Sequence, residues 1–207
     1  GEDPGSENIL PEFMELDIVF EDDYLAVVNK KAGIPTHPSR NHYMGTLANG
    51  MVYHWMGEKD NITIRPVNRL DKDTSGLVVF AKSSHIQHLM SLETYKSNMK
   101  KEYVAIVHGI VEADSGTIDV PIARETQHSV KRVVREDGSK AVTHYRVLRK
   151  YSDYSLLSII LETGRTHQIR VHMTHIGHPL LGDELYGGSS EAIQRHALHA
   201  YRIVMRH

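Results

Sequence analysis

The sequence predicts an α+β protein built on a mixed, largely antiparallel central β-sheet with flanking short helices and loops. Three observations predict it. Strand-like runs fall in adjacent pairs joined by short polar turns, few short stretches carry helical spacing, and no regular β-α-β alternation runs through the 207 residues.

Residues 1–14 combine Gly, Pro, Ser and acids without periodicity, the signature of a flexible leader or a vector-derived remnant. LDIVF (16–20) and YLAVVNK (24–30) are two β-rich runs around the polar turn Glu21-Asp22-Asp23, which predicts paired strands. Gly33, Pro35 and Pro38 interrupt regular structure, and Leu47, Met51, Val52 and Trp55 then recur near helical spacing. LVVFAK (77–82) follows a Thr-Ser-Gly turn as a strand, and Ile86, Leu89, Met90 and Glu93 predict a helix over 84–98 behind a serine N-cap. YVAIV (103–107) is a strand ended by Gly109. Residues 122–140 are polar and basic, so a loop is expected there. AVTHYRVLRKY (141–151) and YSLLSIILE (154–162), separated by Ser152-Asp153, have the spacing of a β-hairpin. Residues 166–176 carry apolar spacing open to helix or strand, though Gly164 before and Gly177 after suit a short helix, and ALHAYRIVM (197–205) suits a strand. With no repeat and no dividing linker, residues 15–207 are expected to form one domain.

Composition narrows the function classes. The formal charge of −2 argues against a general polyanion binder, but it is unevenly distributed. Residues 1–23 hold nine acids and no Lys or Arg, which leaves +7 for residues 24–207. Cys is absent, removing disulfides, thiolate zinc sites and Cys nucleophiles together. No window approaches the roughly 18 apolar residues of a membrane span, and the acidic start is the reverse of a signal peptide. The expectation is a cytoplasmic protein with no membrane association.

Two stretches concentrate chemistry. Residues 65–76 (RPVNRLDKDTSG) pack Asp71 and Asp73 among cations on a loop that feeds a strand. Positive neighbours such as Arg69 and Lys72 favour an ionised Asp, which leaves a salt bridge, a metal ligand and a nucleophile or base all open. Residues 163–170 (TGRTHQIR) crowd Arg165, His167, Gln168 and Arg170 after a hydrophobic strand, groups suited to phosphate, carboxylate or base edges. A third feature is basic: residues 121–150 carry eight Lys or Arg against three acids, a net of +5.

RLDKDTSGL (69–77), KKEYVAIVHG (100–109), KAVTHYRVL (140–148) and ETGRTHQIRVHMTHIGHPLLGDELYG (162–187) resemble, in order and spacing, the blocks of the RluA-type pseudouridine synthase family. NKKAGIPTHPS (29–39) resembles its opening block and HALHA (196–200) its closing one, so the resemblance covers residues 15–207. Asn68 stands where members often have His, and Lys31 where they often have Pro. Many members also carry an N-terminal S4-like RNA-binding domain, which this chain is not expected to contain.

The resemblance implies a pseudouridine synthase catalytic domain that isomerises uridine in ribosomal or transfer RNA, with no cofactor and no metal, working as a monomer. It implies that Asp71 is the essential carboxylate, that Arg165 pairs with it, and that Tyr103 stacks on the uracil and assists proton removal. Asp73 is then left to hold the Thr74-Ser75 turn. Arg69 becomes a candidate to fill the space vacated by a flipped nucleotide, and Leu161 to pack under the base. Lys131, Arg132 and Arg135 in the basic loop, taken as 124–139, become candidate RNA contacts, Gln168 a candidate for substrate or RNA binding, and Lys30, His37, His167 and Arg170 candidates for RNA contact or pocket structure. Two other readings are a metal-dependent hydrolase built on His172, His175, His178, His196 and His199, and a catalytically silent RNA-binding relative. No His-Glu-x-x-His string supports the first, and the presence of Asp71, Tyr103 and Arg165 together disfavours the second.

Overall fold

The structure is a computed structural model that describes residues 9–57, 64–96, 98–189, 191 and 193–206. It contains two compact units, the chain up to Met99 with its last two residues, and Lys100–Met205. The sequence reading, with no dividing linker in sight, expected one domain over 15–207.

In the first unit, β1 (Ile18–Glu21) and β2 (Leu25–Lys30) form a hairpin whose turn is fixed by Asp22, its carboxylate accepting the N–H groups of Tyr24 and Leu25. Helix α1 (Leu47–Trp55) starts in a capping box, with Thr46 and Asn49 each accepting the other's backbone N–H, and it buries Leu47, Ala48, Met51 and Trp55. Strand β3 (Arg65–Pro66) pairs with β4 (Ser75–Ala81), which also pairs with β2, all antiparallel. Buried on both neighbours' sides, β2 and β4 read as near-continuous apolar runs rather than alternating ones.

Two expectations change here. Residues 1–8 of the expected leader lie outside the described residues, but from Leu10 onward the segment is packed on α1. Glu12 N–H donates to Asn49 O at 3.1 Å, Asn49 Nδ2 to Leu10 O at 2.9 Å, and Gly45 N–H to the Glu12 carboxylate at 2.6 Å. The single helix expected over 84–98 is two, α2 (Ser84–Ser91) and α3 (Glu93–Lys96), because Leu92 leaves the helical region at ψ 141°. The Ser91 hydroxyl donates to His88 O at 2.6 Å, the local side-chain bond that competes with helix continuation.

Glu21 gathers Trp55 Nε1 at 2.6 Å, His54 Nε2 at 3.0 Å and Lys82 Nζ at 3.0 Å. Burial alone would raise its pKa, but the hydrogen bonds from Trp55, His54 and Lys82 outweigh it and hold the carboxyl at about 2, against an ordinary value of 4.5. The cluster therefore contributes stability above pH 4.5 that is lost as pH falls toward 2. Glu21→Gln is expected to be less stable than wild type in denaturant titrations at pH 7, with the difference closing at the acid end; an equal gap at both pH values contradicts this.

In the second unit, β5 (Lys100–His108), β6 (Ser115–Asp119), β9 (Val142–Lys150), β10 (Tyr154–Leu161) and β11 (Leu198–Val204) make an antiparallel sheet in the order β11-β5-β10-β9-β6. The predicted hairpin is β9–β10. The basic segment expected as a loop contains a second small sheet, β7 (Ile122–Arg124) paired with β8 (Arg132–Val134). Helix α4 (Gln168–His175) follows β10. Among the described residues no helix is long and apolar enough to cross a membrane.

Candidate active site

Asp71 lies in the first unit, on the loop between β3 and β4, and that loop is held from three directions. Asn68, 5% exposed, donates through Nδ2 to Leu77 O and accepts Val79 N–H through Oδ1, stitching the loop to β4. The buried Thr36 hydroxyl donates to Leu70 O at 3.0 Å and accepts Leu70 N–H at 3.3 Å. Lys30 Nζ donates to Lys72 O at 2.9 Å, Ile34 O at 2.7 Å and Lys31 O at 3.0 Å, while Gly33 N–H also reaches Lys72 O. The residues on both sides of Asp71 thus have fixed carbonyls, and Thr74 N–H closes the turn onto Asp71 O itself at 3.0 Å. Asp71 is half-buried, whereas Arg69, Lys72 and Asp73 are exposed. The backbone around Asp71 is thus held from several sides, a setting suited to a side chain that must keep its position.

Lys30, expected in RNA contact or in pocket structure, is 1% exposed and directs its ammonium at backbone carbonyls. It is a brace for the Asp71 loop. Thr36 and Asn68 are braces too. The opening block contained Thr36, yet a threonine gives no sequence signal that its hydroxyl faces inward.

In the second unit, Tyr103 is 7% exposed and sits opposite Ile159 of β10 and Ala200 of β11. Cross-strand partners share a face, and so do residues two apart along a strand. Leu161, two residues beyond Ile159, is therefore on the Tyr103 face, as is its own partner Thr143 of β9. Helix α4 covers this face: Gln168 Nε2 donates to Thr143 Oγ1 at 2.9 Å, and His172 Nδ1 lies 2.7 Å from the same hydroxyl. Tyr103, Leu161 and the start of α4 are thus assembled on one side of one sheet.

Arg165 is exposed on the turn between β10 and α4, its Nε donating to Lys140 O at 2.8 Å. The turn is organised from below by Gln168, whose Oε1 accepts Arg165 N–H at 2.9 Å and the Thr163 hydroxyl at 2.8 Å, and whose Nε2 also reaches Val142 O. Gln168, expected in substrate or RNA binding, is 2% exposed and braces the Arg165 turn. His172 continues the network inward to Val120 O at 2.9 Å. Burial lowers the His172 pKa, so the ring is neutral, with Nε2–H donating to Val120 O and Nδ1 accepting from Thr143.

Arg170, a candidate for RNA contact or pocket structure, is 8% exposed and makes a bidentate pair with Asp183 at 2.8 Å for both bonds. Before Asp183 the chain passes close to the backbone of 193–195: at φ 75° a Cβ on Gly182 would sit 1.9 Å from Arg195 O, a position only glycine can hold. Arg170→Met leaves the buried Asp183 carboxylate without its fork, and a loss of about 3–5 kcal/mol is expected. Chemical denaturation checks it, and Asp183→Asn in the same background should restore part of the loss. His167 is half-buried with Nδ1 2.7 Å from the Tyr186 hydroxyl.

The basic hairpin keeps its cations partly engaged. Arg132 Nη1 donates to Ser129 O and Val130 O, Arg135 pairs with Asp137, and Lys131 Nζ lies 5.9 Å over the Tyr186 ring. Arg124 and Lys140 are exposed beside them. Arg132 therefore shapes its own turn, Arg124 and Arg135 are exposed, the latter beside Asp137, and Lys131 is half-buried against Tyr186. The histidines of the hydrolase reading are not assembled for a metal: His172 serves Thr143 and Val120, His178 Nδ1 bonds His108 O, and among the described residues no group of three metal-ligating side chains comes together.

A family model described as RNA pseudouridylate synthase matches residues 24–175. The chain is 44% identical over 202 residues to the uncharacterized RNA pseudouridine synthase YhcT of Bacillus subtilis, an alignment spanning 97% of this chain and 67% of that protein. It is 41% identical over 205 residues to ribosomal large subunit pseudouridine synthase D of Nitrosomonas europaea, spanning 95% of this chain and 59% of that one. The solved structure of human RNA pseudouridylate synthase domain containing 1 matches it with a TM-score of 0.74 at 26% identity, over 91% of this chain and 78% of that one. The sequence blocks, the sheet that carries them and these relatives agree, and the chain belongs to the RNA pseudouridine synthase family, whose reaction is the isomerisation of uridine in RNA.

Proposed function

We propose that the chain acts on structured RNA, ribosomal RNA in the first place, with Asp71 as the essential carboxylate and with the target uridine flipped out of its stack. The braced loop around Asp71 is the observation that carries the reading. Three buried side chains, Lys30, Thr36 and Asn68, hold the backbone on either side of Asp71, and fixing one carboxylate is what such a scaffold accomplishes. The name of the Nitrosomonas europaea relative supports ribosomal RNA; transfer RNA is the alternative target.

The chemistry balances within the nucleotide. The bond from the ribose carbon to uracil N1 breaks, a bond from that carbon to uracil C5 forms, the proton on C5 leaves and N1 takes one up. Asp71 serves either as nucleophile or as the base that opens a glycal route. Tyr103 supplies the ring against uracil and a hydroxyl for the C5 proton, Leu161 packs on the same face, and Arg165 supplies the guanidinium. Flipping costs a few kcal/mol, and the exposed Arg69 is suited to occupy the vacated space. No redox or group-transfer partner is needed, so a monomer without cofactor, working in the cytoplasm, suffices.

The test is to map pseudouridines in ribosomal and transfer RNA from cells with and without the protein. Loss of one or more ribosomal sites, restored by wild type and not by Asp71→Asn, is expected. Loss confined to transfer RNA overturns the choice of substrate, and unchanged maps overturn the proposal.

A further inference from the structure

Tyr186 lies in the block GDELYG, where no role has been assigned to it. It closes a short 3-10 turn (Glu184–Tyr186) and is 7% exposed. Its hydroxyl accepts Arg132 N–H of β8 at 2.9 Å and shares a 2.7 Å hydrogen bond with His167 Nδ1. Burial raises the pKa of that hydroxyl, so it keeps its proton for His167. The ring packs with Ile122, Ala141, Val171 and Val134 and is met by the Arg170 guanidinium at 5.0 Å and Lys131 Nζ at 5.9 Å.

Two further observations give this hub a purpose. The β7–β8 hairpin has three residues in each strand, too few for a two-stranded ribbon to hold its own position in water. His167 has φ 57°, the one non-glycine in the left-handed region among the described residues, and such strain persists where the surroundings fix a functional turn. One hydroxyl thus joins the backbone of the basic hairpin to the turn that carries Arg165.

We propose that Tyr186 is a positioning residue for RNA: its hydroxyl holds the β7–β8 hairpin in register with the Arg165–His167 turn, so that phosphate contacts of the hairpin place the target nucleotide relative to Arg165. The inference rests on the reading of the hairpin as an RNA contact, and a double-mutant cycle separates the two. The probe is an unmodified large-subunit ribosomal RNA transcript, with affinity measured across a salt series for wild type, Tyr186→Phe, the charge variant Arg124→Gln/Lys131→Gln/Arg135→Gln, and their combination. Tyr186→Phe keeps the ring and its packing, and its melting midpoint is expected within about 4 °C of wild type. Its affinity should fall about 3- to 10-fold, the worth of one hydrogen bond. The charge variant should bind more weakly still with a shallower salt dependence. Adding Tyr186→Phe to it should change little, because both act through the same hairpin.

Additive losses, or wild-type affinity in Tyr186→Phe, overturn the role of Tyr186 while leaving the hairpin as an RNA contact. A charge variant with the wild-type salt dependence overturns the hairpin reading and the inference with it. Hydrogen exchange at the Arg132 amide gives a second reading in the unaltered protein: the transcript should slow it, and exchange that RNA leaves unchanged counts against the coupling.

Discussion

Asp71→Asn is expected to lower pseudouridine formation by more than about 10⁴-fold, the scale seen when a nucleophile is removed from an otherwise intact site. Asparagine keeps the size and the acceptor oxygen of the side chain but can neither attack a sugar carbon nor take up a proton. The loop around it is also held by bonds from Lys30, Thr36 and Thr74 and by the Asn68 amide, which the substitution leaves in place. With a near-isosteric side chain at position 71, fold and RNA affinity should stay within a few-fold of wild type. Single-turnover rates and equilibrium RNA binding, measured on the same preparation, check both halves. Turnover within tenfold of wild type would return the role to another group, and Asp73, exposed two residues on, would be examined next.

The second large effect is expected from a residue that touches no substrate. Lys30→Met keeps the length of the side chain and removes the ammonium that joins Lys31 O, Ile34 O and Lys72 O. A part-buried carbonyl left without a donor costs about 1–3 kcal/mol, so the melting temperature should fall. At Lys72 O only the Gly33 N–H remains, so the Asp71 loop loses one of its two anchors there, and a displacement on the order of 1 Å at a reacting group costs about 100-fold in rate. Single-turnover rate should fall by roughly 10- to 100-fold, while RNA affinity and its salt dependence stay as in wild type, because the ammonium is buried. A variant that binds RNA more weakly with a shallower salt slope, at an unchanged rate, would make Lys30 the RNA contact the sequence suggested.

That contrast marks the boundary of what the sequence could reveal. The fold class, the β1–β2 and β9–β10 hairpins, α1 and the strand of Tyr103 all follow from local periodicity and turn residues, and the structure has them. Asp71 is proposed from a motif rather than from its charge pattern. What the sequence does not show is burial, because it gives a residue's type alone. The resemblance leaves Lys30 and Arg170 open between RNA contact and pocket structure, and offers Gln168 for RNA binding. Here each is under 9% exposed, with Lys30 directed at backbone carbonyls, Gln168 at backbone and the Thr143 and Thr163 hydroxyls, and Arg170 at Asp183. The β7–β8 strands were hidden for a related reason: three-residue strands rich in Arg and Val carry no readable alternation, and they depend on Tyr186, distant in sequence, for their place. The break at Leu92 has a local cause in Ser91, but helical spacing across it is unbroken.

The central claim is that this chain moves the ribose of an RNA uridine from N1 to C5 of the base with no help beyond its own side chains. The direct measurement uses RNA from cells lacking the protein, labelled with tritium at uridine C5, incubated with purified enzyme in EDTA and without added nucleotide. Forming the bond at C5 must expel the label, so the account predicts tritium released in a one-to-one ratio with pseudouridine formed, and neither product with Asp71→Asn. Tritium released without pseudouridine, or no release by the wild-type protein on any of that RNA, would contradict it.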